Sequence, residues 1–275
     1  FAERVKQARS QSQKAVKKLT KAEREAIEEA VEDAEAALAE IMLERNTLVL
    51  LHHPLIVNLA YSFQNPAYVV LVMDSCPGGD LSVFALTEEK LSPRQVRFVG
   101  LEVCEVLAYL HGEKVLYRDL KPENLLLDAS GHVRLIDFGL AVGAGSDGLM
   151  PTSDEMCGTP CYMAPEVKYA GKKGVKRYTA AADWFTLGVL LYELTEQRLP
   201  FGEAPRFTDH KNEWRKPKLF VTEEGKKDDA LESLIKGLCE WRPDKRLGGG
   251  KHAGTPQATS EVKAHKYWQS PEWSL

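Results

Sequence analysis

The sequence predicts an α+β fold with a small, strand-containing N-terminal part and a larger, mainly helical C-terminal part. Two short β-rich stretches, LIVNLAYSFQ and AYVVLVMD, occupy residues 55–64 and 67–74, and the connector SCPGGDLS follows them. Helical patterns dominate after this connector, and another helical pattern precedes the strands. The uneven distribution predicts two lobes, residues 1–76 and 77–275, joined at the Gly-Pro connector.

Composition favours a globular domain in a reducing compartment. The chain has 275 residues, 44% of them hydrophobic and 28% charged, so it can bury a sizeable core. A net charge of −4 gives no reason to expect nucleic acid or an anionic membrane as a partner. The five cysteines form no CxxC pair, which argues against zinc and favours an intracellular, cytoplasmic setting. No apolar run has the length of a membrane span, and we expect a monomer that is a segment of a longer product.

Residues 1–46 are predicted to be helical, because they contain no Gly or Pro and are rich in Ala, Glu, Lys and Arg. Their apolar residues recur at alternating spacings of four and three. This pattern fits either a long amphipathic helix lying on a neighbouring element or a coiled coil that binds a regulatory partner. The stripe consists of Ile27, Val31, Ala34, Leu38 and Ile41.

The elements after residue 54 are predicted from local patterns. The dipeptide NP separates the two β-rich stretches and predicts a hairpin. Ser92 followed by Pro93 marks a helix start, and the apolar residues beyond it have helical spacing. HVRLIDFGLA predicts another short strand. YTAAADWFTLGVLLYELTEQRLPF is apolar enough to be a buried helix, and ALESLIKGLCEW has the pattern of an amphipathic helix.

The stretch VLYRDLKPENLLL, residues 115–127, places charged side chains between apolar ends. Alone it fits either a charged surface turn or a catalytic loop held by a rigid scaffold. DFG, GTPCYMAPE, DWFTLG and RPDKRLG follow it in that order. From Glu44 to the C-terminus this series resembles the eukaryotic protein kinase family, serine/threonine type. Tyr117, MDSCPGGDL and CGTPCYMAPE make it most similar to the AGC group, which holds the cyclic-nucleotide-dependent and receptor-directed kinases.

The resemblance implies a bilobal protein-kinase-like fold with a truncated N-terminal lobe, and ATP and Mg²⁺ as cofactors. Asp119 matches the catalytic aspartate that orients the substrate hydroxyl and accepts its proton. Lys121 matches the residue that stabilises the transferred γ-phosphoryl group. Asn124 and Asp137 match the two magnesium ligands, whose oxygen atoms suit a hard cation. Such a reaction depends on positioning and charge stabilisation more than on covalent chemistry.

The resemblance also implies the groups that hold the nucleotide. Met73 matches the gatekeeper, and the backbone of Asp74 and Cys76 matches the segment that pairs with the adenine edge. Asp80 matches the residue that holds the ribose hydroxyls, although it could equally be, or also be, a helix N-cap. Leu126 matches the floor under the adenine ring.

The chain departs from the family in its first part. The Gly-rich loop of the family is missing, since no G-x-G-x-x-G lies ahead of the predicted strands. FAERVK resembles the strand that carries the nucleotide-anchoring lysine, with Arg4 at the place of that lysine and Lys6 as a substitute. Residues 1–6 could instead simply begin the long helix. Glu44 matches the helix glutamate that pairs with this cation, and Arg in place of Lys would change the geometry of the pair.

The activation segment, residues 137–166, departs as well. Glu155 stands two residues before the Cys of CGTP, where the AGC group carries a phosphorylatable threonine. Its carboxylate either pairs with Arg118 in place of that phosphate or lies in a solvated acidic loop. Thr159 belongs to the same segment.

Three further matches imply architecture rather than chemistry. Glu166 and Arg246 match a buried ion pair that ties the activation segment to the lower lobe, a kind of pair that is costly to break from one side. Asp183 matches the aspartate that binds backbone amides of the catalytic loop.

The remaining matches concern the peptide substrate. Glu123 and Glu193 match two glutamates that hold an arginine two residues before the acceptor, because paired carboxylates favour a guanidinium. An ordinary helix-end carboxylate near the surface is the other interpretation of Glu193. The pocket for the apolar residue after the acceptor is matched by Met156, Pro160 and Met163.

The sequence therefore predicts a serine/threonine kinase that acts on protein substrates and prefers basic peptides. A catalytically silent scaffold of the same fold is the alternative, favoured by the missing Gly-rich loop. A small-molecule phosphotransferase of related fold is a third possibility, and GTPCYMAPE, a peptide-docking segment, argues against it.

Overall fold

The computed structural model describes residues 20–65, 68–86, 90–143, 148–172, 177–203, 220–222 and 225–269. The chain divides into two compact units, Phe1–Leu43 and Glu44–Leu275. The predicted division after residue 76 stays a prediction. Arg4 and Lys6 lie outside the described residues.

The first described element is a long helix, α1, at Lys21–Leu50. It begins with a capping box, in which the Glu23 backbone N–H donates to the Thr20 hydroxyl and the Glu23 carboxylate accepts from the Thr20 backbone N–H. Ala and Glu, both strong helix formers, dominate its sequence. Of its residues only Leu48 is fully buried. The helix predicted over residues 1–46 is thus confirmed from Lys21 onward and extends four residues beyond the predicted end, while residues 1–19 lie outside the described residues.

The predicted hairpin is also present. Strands β1, Leu59–Gln64, and β2, Val69–Met73, pair antiparallel, with Ser62 opposite Leu71. The Arg45 guanidinium of α1 donates to the hydroxyl of Ser62 in β1 at 3.3 Å.

Helices dominate the rest of the described chain. A short helix, α2, spans Ser82–Leu86, and α3 spans Pro93–Gly112. Ser92 caps α3, with its hydroxyl accepting from the Gln95 backbone N–H and the Gln95 side chain reaching back, so the predicted helix start is confirmed. The other helices are α4 at Pro165–Lys168, α5 at Ala181–Glu196, α6 at Asp229–Leu238 and α7 at Pro256–Lys263, with 3₁₀ turns at Pro122–Asn124, Gly250–His252 and Lys266–Gln269.

A second antiparallel pair lies between α3 and the activation segment. It joins β3, Leu125–Leu127, to β4, Val133–Leu135, with Leu126 opposite Arg134. The strand predicted at HVRLIDFGLA is therefore only three residues long. The backbone leaves the ladder where Asp137 adopts a left-handed conformation, with φ of 60°.

Helix α5 forms the centre of the core. All but one of its sixteen residues are buried, because its surface is apolar on every side. It packs against α3 and α6. A Cβ at Gly188 would lie 2.6 Å from the Cys239 sulfur, so only glycine permits this approach of α5 to the end of α6.

The predicted α+β class is confirmed: the described residues form two small antiparallel sheets, and the C-terminal part is mainly helical. Within the described ranges, none of the helices is both long and apolar enough to cross a bilayer.

Candidate active site

The loop between residues 117 and 124 is anchored to α5 through the side chain of Asp183. The Asp183 carboxylate accepts from the backbone N–H groups of Tyr117 and Arg118, at 3.1 and 2.9 Å. Its Oδ2 also lies 2.8 Å from Nε2 of the buried His111. Arg118 has φ of 74°, a left-handed conformation that is rare outside glycine. These hydrogen bonds hold the strained turn in place.

Asp119 has both carboxylate oxygens oriented by neighbours. Oδ2 lies 2.7 Å from the Lys121 ammonium and 3.2 Å from the Asn124 amide nitrogen, which also donates to the Asp119 carbonyl at 2.9 Å. Oδ1 accepts from the Thr159 backbone N–H at 3.0 Å and from its hydroxyl at 2.7 Å. The Thr159 hydroxyl in turn lies 3.1 Å from Lys121. Asp119 is only 8% exposed, so a buried base and a partly exposed cation are brought together.

The possible cation ligands follow this loop. Because the Asn124 amide nitrogen is used by Asp119, the orientation of the group is set and its oxygen is left for another partner. One Asp137 oxygen accepts from the Gly139 backbone N–H at 3.1 Å. Oxygen donors of this kind fit Mg²⁺, which is usually bound by one or two protein side chains together with phosphates and water. Among the described residues, no group of three or more His, Cys, Asp or Glu side chains is placed to hold a metal ion.

Glu44 lies beside the DFG motif. Burial raises the pKa of its carboxyl group, and the nearby Asp137 carboxylate raises it further. A hydrogen bond from the Phe138 backbone N–H acts in the opposite direction. Phe138 is fully buried and packs edge-on against Tyr117, with ring centroids 5.4 Å apart. Glu44 therefore faces Asp137 and Phe138 of the DFG motif, and its predicted cation, Arg4 or Lys6, lies outside the described residues.

The predicted adenine segment runs from β2 to α2. Met73 ends β2 and is 39% exposed, and the Asp74 backbone N–H donates to the Asn58 carbonyl at 3.1 Å. The Asp74 carbonyl and the Cys76 N–H have no backbone hydrogen bond to another described residue, whereas the Cys76 carbonyl accepts from the Gly79 backbone N–H at 3.4 Å. Gly78 donates to the Leu127 carbonyl at 3.0 Å, so the segment is fastened to β3.

Asp80 forms a side-chain turn just before α2. Its Oδ1 accepts from the Ser82 backbone N–H at 2.9 Å and from the Ser82 hydroxyl. Asp80 also forms an isolated bridge with Leu126 in β3. The predicted N-cap role and the predicted ribose contact of Asp80 both stay predictions.

Arg118 connects the loop to the activation segment. Its guanidinium donates to the Glu155 carboxylate at 2.9 Å, to the Ser153 hydroxyl at 3.1 Å and to the Tyr178 hydroxyl at 3.2 Å. The Arg118 side chain is 5% exposed and that of Glu155 is 66% exposed. Burial raises the pKa of Tyr178 to about 12, so its hydroxyl stays protonated and donates to the Glu155 carbonyl.

Gly158 allows the activation segment to touch the loop. It has φ of 97°, and a Cβ there would lie 2.6 Å from the Arg118 carbonyl oxygen. The close contact places Thr159 next to Asp119. A glycine at this position is therefore required by both conformation and space.

Glu193 is buried, not at the surface as one interpretation expected. It is 6% exposed and accepts a hydrogen bond from the Tyr162 hydroxyl. Burial raises the pKa of the Glu193 carboxyl group; the Tyr162 hydrogen bond opposes this, and the neighbouring Glu123 carboxylate adds to it. Glu123 itself is exposed. Of the residues predicted for the adjacent pocket, Met156 and Pro160 are exposed and Met163 is half-buried against the core.

The predicted ion pair of Glu166 and Arg246 is formed. Arg246 Nη2 lies 2.9 Å from Glu166 Oε2, and its Nη1 donates to the other oxygen. Arg246 Nη1 also donates to the Ala181 carbonyl at 2.7 Å, which connects the pair to α5. The Arg246 side chain is fully buried and that of Glu166 is 11% exposed.

Sequence reasoning missed several partners in these networks. His111, Ser153, Tyr162 and Tyr178 were not singled out, although Tyr162 lies inside GTPCYMAPE. It also overlooked GAGSDG, residues 143–148, which has the G-x-G-x-x-G spacing. GAGSDG follows DFG instead of preceding the strands, so it does not stand at the place of the family's loop.

Comparison with known proteins agrees with this geometry. The protein kinase domain family matches residues 2–268. RAC-beta serine/threonine-protein kinase from Rattus norvegicus is 37% identical over 244 residues, covering 87% of this chain and 47% of the relative. The protein of that name from Homo sapiens is 36% identical over 244 residues, covering 87% of this chain and 47% of the relative.

A plant protein gives a similar result. Serine/threonine-protein kinase AtPK2/AtPK19 from Arabidopsis thaliana is 37% identical over 233 residues, covering 84% of this chain and 45% of the relative. The chain thus spans about half the length of the curated relatives it matches. With the catalytic loop, DFG and GTPCYMAPE brought together around Asp119, the chain belongs to the protein kinase domain family.

Proposed function

We propose that the protein is a serine/threonine kinase that transfers the γ-phosphoryl group of ATP to hydroxyl groups of protein substrates. The observation that carries this proposal is the arrangement around Asp119, in which one carboxylate oxygen faces Lys121 and the other faces Thr159. A buried carboxylate with a cation 2.7 Å away suits the acceptance of a proton next to a developing negative charge.

The chain's own groups divide the work as follows. Asp119 would hold the acceptor hydroxyl in line and take its proton while the hydroxyl oxygen bonds to the γ-phosphorus and the bond from that phosphorus to ADP breaks. Lys121 stabilises the negative charge on the transferred group. Thr159 keeps the Asp119 carboxylate from rotating, because it donates from both its backbone and its hydroxyl.

Mg²⁺ and ATP fit the remaining residues. Asn124 and Asp137 would hold the cation through oxygen atoms, and magnesium bound there supplies charge neutralisation for the phosphates. The backbone of Asp74 and Cys76 would bind the adenine, and Asp80 the ribose. Glu44 would orient the cation predicted at Arg4 or Lys6, since its carboxylate already faces the DFG motif.

A preference for basic peptides is supported by Glu193 and Glu123. One carboxylate is buried and the other exposed, and their charges interact. A guanidinium placed between them would relieve that repulsion, so arginine is the side chain we expect two residues before the acceptor. The five cysteines, all free thiols, support the intracellular, cytoplasmic setting.

Peptide phosphorylation tests this proposal directly. The chain is incubated with Mg²⁺, ATP and an arginine-containing serine peptide, and phosphate transfer is measured for wild type and Asp119→Asn. Transfer by wild type that is lost in Asp119→Asn supports the assignment. Transfer that persists in the variant contradicts it.

A scaffold that binds nucleotide without transferring phosphate is the second candidate. It is favoured by one feature of residues 1–77, which contain no glycine and so no G-x-G-x-x-G of the kind that covers nucleotide phosphates in the family. Thermal unfolding with and without Mg²⁺–ATP, together with the peptide assay, separates the candidates. A raised unfolding temperature without transfer favours the scaffold.

A further inference from the structure

The first part of α1 carries an apolar stripe whose side chains are exposed. The stripe consists of Ile27, Val31, Ala34, Leu38 and Ile41. All five side chains are exposed, with Ile27 at 47%, Val31 at 49% and Leu38 at 45%. Large apolar side chains are normally scattered on a surface, so a row of them along two heptads indicates a face that receives a partner.

The spacing of the stripe specifies the shape of the partner. Steps of four and three residues place these side chains on one line along the helix. A second helix with the same repeat can pack against such a line by fitting side chains between those of α1. A strand or a small molecule would use only part of its length.

The charge beside the stripe specifies the chemistry of the partner. From Glu25 to Glu44 the helix carries eight carboxylates and no Lys or Arg. Glu28 and Glu35 directly follow the stripe residues Ile27 and Ala34, so they flank the seam. Basic side chains on a partner helix would meet them, as opposite charges at flanking positions select partners in coiled coils.

A second copy of the chain is disfavoured by the same charges. In a parallel pair Glu23 of one copy would face Glu28 of the other, and in an antiparallel pair Glu28 would face Glu35. Either arrangement puts like charges along an apolar seam.

We propose that the apolar stripe of α1 is a docking site for a basic amphipathic helix of another protein, with apolar residues in a four-three repeat and Lys or Arg beside them. The site lies in residues 27–41, away from the candidate active site in the sequence. The proposal does not depend on kinase activity, because binding can be measured without phosphoryl transfer.

Three synthetic peptides test the chemistry. The first has Leu and Ile in a four-three repeat flanked by Lys and Arg, the second replaces every Lys and Arg by Glu, and the third replaces every Leu and Ile by Ser. We expect the full chain to bind only the first, measured by fluorescence anisotropy, and to bind it more weakly as salt is added. Failure of the first peptide to bind, or equal binding of the third, overturns the proposal.

Two double variants test the surface. Val31→Glu with Leu38→Glu places charge in the stripe, and Ala36→Glu with Ala39→Glu places the same charge on the opposite side of α1. All four positions are exposed, so both variants should fold. The stripe variant should bind the basic peptide about tenfold more weakly or worse, and the control should bind it at least as well as wild type. Equal affinity of the two variants overturns the docking site.

Other occupants give distinct results. A stable dimer of the free chain, dissolved by the stripe variant in light scattering, would assign the face to self-association. Residues 1–19 contain six Lys or Arg and one Glu. If a chain that starts at Thr20 binds the peptide and the full chain does not, the chain's own basic segment is the occupant. Either result overturns the proposal of an external partner.

Discussion

The guanidinium of Arg118 and the carboxylate of Glu155 lie 2.9 Å apart, across 37 residues of chain. The Ser153 and Tyr178 hydroxyls accept hydrogen bonds from the same cation, so four groups meet where the catalytic loop touches the activation segment. A carboxylate carries one negative charge where a phosphate would carry nearly two. We infer that Glu155 stands in for an activating phosphate and holds the segment without a modification at that point.

Replacing Glu155 should therefore loosen the segment. In Glu155→Ala we expect lower kcat and faster proteolysis of residues 148–160, because Arg118 loses its only charged partner on the described chain. Asp154→Ala is the matched control, since Asp154 lies 3.9 Å from Arg177 and both side chains are exposed. In Glu155→Thr, activity should return only after phosphorylation. An unchanged rate in Glu155→Ala would leave Glu155 as part of a solvated acidic loop.

The catalytic assignments predict losses of different origin. Asp119→Asn should lower kcat by about a hundredfold or more, because the amide cannot accept the hydroxyl proton. Asp137→Asn should also lower kcat by about a hundredfold or more. The Mg²⁺ concentration that gives half-maximal activity should rise in this variant. Circular dichroism checks that both variants keep the fold. A normal Mg²⁺ dependence in Asp137→Asn would show that the metal assignment is wrong.

Glu193 should make arginine recognition depend on pH. Its carboxyl pKa lies above the ordinary value because of burial, and only the ionised form attracts a guanidinium. As the pH falls through this raised pKa, the KM for an arginine peptide should rise, whereas the KM for a matched alanine peptide should not. In Glu193→Gln the two peptides should become similar. Arginine selectivity that survives in Glu193→Gln would refute the role.

Gly158→Ala should damage the site through the backbone. The new Cβ would press on the Arg118 carbonyl at 2.6 Å and would also disfavour the left-handed φ. We expect a loss of about 1–3 kcal/mol in the free energy of unfolding, and lower kcat because Thr159 moves away from Asp119. Gly112→Ala is the control, since a Cβ there meets nothing within 4 Å. Full activity in Gly158→Ala would contradict the contact.

Breaking the buried ion pair from one side should destabilise the fold. Arg246→Met leaves the Glu166 carboxylate without its cation and should lower the free energy of unfolding by about 3–5 kcal/mol. Arg242→Met is the matched control, because the Arg242–Asp244 pair is exposed at both ends, and it should change little. Equal stability of the two variants in urea would show that the pair contributes no more than a surface bridge.

Local signals predicted much of the fold. The Ser92–Pro93 start of α3 and the hairpin of β1 and β2 depend on neighbours in sequence, so they could be inferred from patterns. The burial of α5 followed from its composition. The length of β4 could not be inferred. The strand ends at Leu135, just before Asp137 adopts a left-handed backbone conformation, and no local sequence pattern records that conformation.

The motif residues of the site were predicted from the sequence, whereas the side chains that hydrogen-bond to them were not. Asp183 was expected to bind loop amides, and it does. Tyr162 and Tyr178 lie 31 residues from Glu193 and 23 residues from Glu155, and only the folded chain brings each pair together. The burial of Glu193 likewise depends on its environment in the folded chain, which no local pattern records.

The anchoring of the catalytic loop on α5 has a consequence for motion. The amide hydrogens of Tyr117 and Arg118 donate to the side chain of Asp183, which belongs to α5, the most buried helix among the described residues. They can exchange with solvent deuterium only when that helix opens, so they should be protected nearly as long as the amides of α5 itself. Catalytic loops are often among the first segments to fluctuate, whereas this one should be among the last to exchange.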